Sequence, residues 1–179
     1  MATATHITLE QYLKTTYEPD ADYIDGEIEE RNVGEYDHSI VQMALLLWFH
    51  RKAKEWKIRV VQEQRIRLTP TRVRIPDVSV FSRDLPIEQV FTHPQLIAIE
   101  VLSPEDRHTK MQQRIGDYIA FQVPNIWIVD PKQRIGWDCS TGNWIRTKRF
   151  EVADRRSTFR STSYSASSIY PRPKPALSR

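Results

Sequence analysis

The segment Leu96-Ile97-Ala98-Ile99-Glu100-Val101-Leu102 is apolar at every position but one. A strand built from it has no face to give to water, so it must lie inside a sheet covered on both sides. The next residues support that placement. Ser103-Pro104-Glu105-Asp106 reads as a helix start, with Ser as N-cap, Pro at the first helical position and acids in the first turn. That helix is expected to run to about Gln122, where Val123-Pro124 ends it, and Ile126 to Val129 forms a second short buried strand. A strand, a helix and a strand in this order make a parallel crossover, which a chain of this size completes as one α/β or α+β domain around one mixed sheet.

The remaining elements are expected to frame that crossover. Thr8 with Gln11 makes a capping pattern ahead of Leu9, Tyr12 and Leu13, hence a short first helix. Asp22 to Glu29 alternates about Asp25-Gly26, a pair suited to the positive backbone angles of a hairpin turn. The longest helix is predicted from about Glu35 to Lys57, and its centre, Ile40 to Phe49, is apolar nearly all round, which implies burial on more than one side. Strands are expected at Val60 to Leu68 and Val73 to Phe81, separated by Thr69-Pro70-Thr71. A loop spans 82–95, and a final hairpin comprises Ile135 to Cys139 and Trp144 to Phe150.

Composition narrows the setting. With 179 residues the chain has room for one domain, and 40% hydrophobic residues including five Trp fill an ordinary core. One cysteine supports neither an internal disulfide nor a cysteine-rich zinc site, so a reducing, cytoplasmic location is expected. The longest apolar run, Met43 to Phe49, is too short to cross a bilayer, and no secretory leader is evident. The net charge of +3 hints at a nucleic-acid partner, but it is unevenly placed. Six of the 26 basic residues lie within Arg155–Arg179, where there is no acid; residues 1–154 therefore hold 20 basic against 23 acidic residues and carry −3. Residues 1–154 are read as the folded domain. Residues 155–179, rich in Ser, Arg and Pro, are read as a mainly disordered tail, with a short strand around Ser163 to Tyr170 as the alternative.

Two acids stand where a buried sheet does not readily accept them. Asp77 is flanked by Ile75-Pro76 and Val78, and Glu100 by Ile99 and Val101. An ionised carboxylate in such surroundings costs several kcal/mol unless a cation, a metal or strong donors compensate it. If the two strands are antiparallel neighbours, the acids sit side by side, and either a divalent cation such as Mg²⁺ (or Mn²⁺) or buried pairs with Arg65, Arg67 or Arg74 would compensate them. On the helix after Glu100, Lys110 and Arg114 share a face with Tyr118, separate from an apolar stripe of Met111, Ile115 and Ile119. That face reads either as a cationic partner for phosphate, next to free N–H groups at Ser103, or as a solvated edge with Arg114 paired to Asp117 or Glu105.

Taken in order, Tyr23-Ile-Asp-Gly26-Glu27, His38, Arg74-Ile-Pro-Asp77-Val-Ser-Val, Ile99-Glu100-Val-Leu-Ser103-Pro104, Tyr118 and Val123-Pro-Asn-Ile-Trp127-Ile-Val-Asp130-Pro131 resemble the Uma-two endonuclease family. The resemblance covers about residues 8 to 150 and implies the PD-(D/E)XK, restriction endonuclease-like fold, with DNA as partner. It further implies that Asp77 and Glu100 hold Mg²⁺, which would polarise a scissile phosphate. Many superfamily members carry Lys two residues after the Glu, where this chain has Leu102; family members commonly carry Lys one turn before the Tyr, where this chain has Arg114. Arg stabilises phosphate charge but stays protonated, so general-base work falls to a metal-bound hydroxide, Lys110 or another group. His38 is the further candidate for orienting water or phosphate; Glu27 and Glu63 are weaker additions to the acidic cluster. Trp127 is expected in the core, Trp137 and Trp144 in cross-strand packing or base stacking, and Cys139 in a structural role. The alternatives are a catalytically inactive nuclease-fold module that binds nucleic acid or protein, and a phosphotransfer enzyme using the same metal pair. A homodimer sharing the final hairpin edge is also expected. The tail departs from the resemblance, because the family continues with an apolar strand and a short acidic helix.

Overall fold

The computed structural model describes residues 6–32, 34–152 and the backbone at Tyr164–Ser165. Helix α1 (Leu9–Lys14) starts at the expected capping box, in which Thr8 accepts from the Gln11 N–H and Gln11 bonds back to Thr8. Strands β1 (Ala21–Ile24) and β2 (Glu27–Glu30) pair antiparallel across Asp25-Gly26, both of which have positive φ. A side chain at Gly26 would also meet His6, 2.0 Å from where its Cβ would stand.

Helix α2 (Tyr36–Lys52) ends before the expected Lys57, and its fully buried residues, His38, Val41, Gln42, Leu45 and Phe49, lie on one face. Each of the two long strands expected next is broken in two. Strands β3 (Ile58–Gln62) and β4 (Ile66–Thr69) are separated by Glu63, which takes a positive φ. Strands β5 (Arg72–Arg74) and β6 (Val78–Ser82) are separated at Pro76, which has no N–H to give to a ladder. The two breaks face each other, since the Glu63 N–H donates to the Asp77 carbonyl. There the hairpin passes from one sheet to another: β3 pairs with β6, and β4 with β5.

The single mixed sheet of the sequence reading is therefore two main sheets, beside a two-stranded third. One has the order β2-β1-β5-β4; the other has six strands in the order β10-β9-β8-β7-β6-β3, with β7 (Ile97–Val101), β8 (Ile126–Asp130), β9 (Ile135–Asp138) and β10 (Ile145–Thr147). Strand β7 is central, antiparallel to β6 and parallel to β8 through helix α3 (His108–Ala120). Helix α2 covers one face of this sheet, where Val41, Leu45 and Phe49 pack on Val80, Ile99 and Trp127. Helix α3 covers the other, with Met111, Ile115 and Tyr118 against Ala98 and Ile128. Each large apolar side chain so buried contributes about 1.5–3 kcal/mol. Trp127 stacks on Phe49 and Phe150, as its core assignment requires.

Helix α3 begins four residues later than expected. Ser103 and Asp106 close a tight turn, and Arg107, which makes no side-chain cap bond, precedes the first helical residue. The helix N-terminus is thus not at Ser103, and the phosphate-binding N–H groups expected there are not formed. Its buried face is Met111, Arg114, Ile115 and Tyr118, while Ile119 and Lys110 are exposed, so Arg114 and Tyr118 share the buried side with the apolar residues. Of the tail, Tyr164–Ser165 (β12) pairs antiparallel with β11 (Arg149–Phe150), inside the alternative strand around 163–170; the rest of 155–179 lies outside the described residues.

Candidate active site

Asp77 is placed by the strand break rather than by a strand. Its carbonyl accepts from Glu63 N and from Gln42 Nε2 at 3.0 Å, which fixes the backbone at the point of departure into β6. Asp77 directly precedes Val78, whose partner is Ile99, and its carboxylate accepts from the N–H of Val101, so it stands at the entry to β6 as a neighbour of Glu100. Asp77 is 3% exposed and Glu100 2%.

Each carboxylate is satisfied within the protein. Asp77 Oδ2 accepts from the Val101 N–H at 2.6 Å and lies 3.4 Å from His38 Nε2, while Oδ1 accepts from Arg31. Glu100 Oε2 accepts from Arg114 at 3.1 Å, and Oε1 accepts from the Tyr118 hydroxyl. Arg114 is shared: its second nitrogen is 2.8 Å from Asp22 Oδ2, which also receives Arg74 at 2.8 Å, and Arg74 reaches Asp117 at 2.8 Å. The site is one end of a buried charge network that runs from α2 across both sheets to α3.

The electrostatics separate the two acids. Burial disfavours both carboxylates, but the Arg31 guanidinium and His38 outweigh it at Asp77 and hold its pKa below the usual range. At Glu100 burial prevails over Arg114, with the Asp77 charge adding to it, and the pKa is pushed up from 4.5 to about 7. Burial opposes the charged form of His38, but its bond to Asp77 and the charge there raise its pKa. A pair of carboxylates driven apart in this way is a recurrent feature of reactive sites.

Of the residues singled out from sequence, the fold brings Asp77, Glu100, His38 and Arg114 together. Lys110 lies one turn before Arg114, exposed, and lines a cleft with Glu29, Arg31, Glu105, Asp106 and Arg107. It makes no ion pair with either acid among the described residues. The expected arginine partners are elsewhere: Arg74 serves Asp22, Glu29 and Asp117, and Arg65 binds the Leu13 and Thr15 carbonyls. Glu27 is exposed on its hairpin, away from the acids; Glu63 is exposed, accepts from Gln42 and borders a second cleft with His38 and Asp77. Trp137 and Trp144 pack edge to face, and Trp144 stacks on His108. Cys139 is buried, with its thiol pushed up to about 12, in keeping with a structural role.

Arg31 and Asp22 escaped the sequence reading. Asp22 sits in an alternating stretch like any solvated strand acid, and only its pairing with Arg74 shows it to be buried. Arg31 comes after Glu29-Glu30 and reads as a surface charge. Nothing local marks it as the partner of a residue 46 positions away.

The donor set bears on a metal. Two neighbouring carboxylates are oxygen donors of the kind a hard cation takes, and here each of their oxygens is already engaged, by Arg31, the Val101 N–H, Arg114 or Tyr118. No group of three or more His, Cys, Asp or Glu suited to a metal occurs among the described residues.

Asp77, at the entry to β6, and Glu100, on β7, belong to a six-stranded mixed sheet with a helix on each face, an α+β fold. A solved structure described as a putative nuclease belonging to DUF820 from Anabaena variabilis ATCC 29413 shares it, with a TM-score of 0.72 and 22% identity, covering 91% of this chain and 97% of that one. The Uma2 family model, described as a putative restriction endonuclease, matches residues 9–150, and the chain belongs to that family. No curated protein matches it. No described helix is long and apolar enough to cross a membrane.

Proposed function

We propose that the protein is a metal-dependent endonuclease that hydrolyses phosphodiester bonds in DNA. The observation that carries this reading is the buried neighbourhood of Asp77, at the entry to β6, and Glu100 on β7, beside clefts lined by Arg31, Lys110, Arg114 and His38. Asp77 and Glu100 would hold Mg²⁺ or Mn²⁺, and the bound cation would supply charge to polarise the phosphate. The protein groups do the rest. Arg114, anchored by Asp22, presents a fixed positive charge beside Glu100. Tyr118 fixes the Glu100 rotamer, and the Val101 N–H fixes that of Asp77. His38, in contact with Asp77 and bordering the cleft, is placed to orient a water or a phosphate oxygen. Lys110 at the rim would draw the strand in. Membership of a family described as a putative restriction endonuclease supports the same substrate class.

A second reading has its own support. Every oxygen of the two carboxylates already has a donor in the chain, as in a nuclease fold retained for binding alone. Cleavage of supercoiled plasmid with Mg²⁺ or Mn²⁺ tests the two. Cleavage that is lost in Asp77→Asn and in Glu100→Gln supports the enzyme. Equal cleavage by wild type and both variants excludes these acids. DNA binding without cleavage, and without cation uptake by calorimetry, identifies the binding module.

A further inference from the structure

Helix α2 presents a face that no element among the described residues covers. One side packs on the sheet, while the other carries Tyr36, Ile40, Met43 and Leu47, with Tyr36 78%, Met43 55% and Leu47 51% exposed. Apolar side chains all round a helix mark one that is covered on both sides. The seam residues recur at alternating intervals of four and three, the spacing at which one helix packs lengthwise along another.

The charges beside this seam say which helix fits. Asp37, Ala44 and Arg51 succeed one another at seven-residue intervals along one border. Neither Asp37 nor Arg51 has an ion-pair partner among the described residues. A second α2 laid parallel would set this border against the Ser39 and Leu46 side of its partner, which offers Asp37 and Arg51 no opposite charge. Laid antiparallel about a two-fold axis, it brings Asp37 of each copy within an arginine's reach of Arg51 of the other, and Ala44 between them leaves room for the helices to close. The opposed helix dipoles favour the same arrangement. A surface complementary to itself under two-fold rotation is the requirement for a closed dimer.

We propose that α2 is the seam of an antiparallel homodimer, with Tyr36, Ile40, Met43 and Leu47 at its centre and reciprocal Asp37–Arg51 pairs at its border. The final hairpin is a poorer edge for this purpose, since β10 has three residues. Neither the seam nor its charges take part in the chemistry proposed above, so the dimer stands or falls separately from it.

Sedimentation velocity of the full chain over a micromolar concentration series tests the proposal. Wild type is expected as a dimer, and Met43→Glu with Leu47→Glu as a monomer with unchanged circular dichroism. Asp37→Arg is expected to weaken association by at least about tenfold, and Asp37→Arg combined with Arg51→Asp to restore it. A wild-type monomer at every concentration overturns the proposal and leaves the face to a different partner. So does a dimer that survives the Met43→Glu, Leu47→Glu change. A charge swap that fails to restore association rules out the antiparallel pairing.

Discussion

Replacing Asp22 by Asn changes a single group and tests whether the buried network is held by charge. Asp22 is fully buried; its Oδ1 accepts from the Ile75 N–H at 2.9 Å, and its Oδ2 serves Arg74 and Arg114, each at 2.8 Å. The amide keeps the shape and can keep the Ile75 bond, but two buried guanidiniums lose their shared anion. Removing one partner of a buried pair costs about 3–5 kcal/mol. Arg74 retains Asp117, and Arg114 retains Glu100, so the lower end applies, about 3 kcal/mol. With a urea slope of about 2 kcal/mol/M, the unfolding midpoint should fall by about 1.5 M. The control is Glu10→Gln, which removes the exposed pair with Lys14 and should cost about 0.5 kcal/mol or less. Added salt should erase the small effect and leave the large one, because buried charges are poorly screened. A loss at Asp22→Asn no larger than that of the control would refute the reasoning.

The other expectations concern the two acids. Because burial raises the Glu100 pKa to about 7, the folded protein holds a proton there that the unfolded chain releases near 4.5; its contribution to stability is complete below about 4.5 and is lost as pH rises through 7. Relative to Glu100→Gln, wild type should therefore lose roughly 3 kcal/mol across that window, and parallel urea midpoints for the two proteins from pH 4.5 to 7.5 would contradict the assignment. Arg31 occupies one oxygen of Asp77, so Arg31→Met should tighten Mn²⁺ binding by about tenfold in calorimetry if a cation takes that place. Equal affinity in the two proteins would show that Arg31 and the cation do not compete.

Much of the scaffold is legible in the sequence because local rules meet no opposition. The capping box at Thr8, the turn at Asp25-Gly26 and the parallel pair around Glu100 each arise from short-range chemistry that the tertiary fold leaves intact. The strands near Asp77 mislead for a physical reason. Gln62-Glu63-Gln64-Arg65 is polar throughout and Pro76 lacks an N–H, and only the folded chain shows that these two interruptions face each other and that the hairpin changes sheets there. Ser103 fails as a cap because the turn it closes with Asp106 precedes the helix. Arg114 is expected on a solvated or phosphate-facing side; it lies on the buried side because Glu100 and Asp22 stand beneath it.

By itself the sequence determined that one strand is covered on both faces, that a helix links it to a parallel neighbour, and that two acids lie in apolar surroundings. These features come from periodicity and from the cost of burying charge, both local properties. Only the tertiary structure decided which cations compensate the acids. Arg31 and His38 reach Asp77 from β2's exit and α2, and Arg114 and Tyr118 reach Glu100 from α3. Burial and distance, which set these partnerships and drive the two pKa values apart, do not exist until the chain has folded.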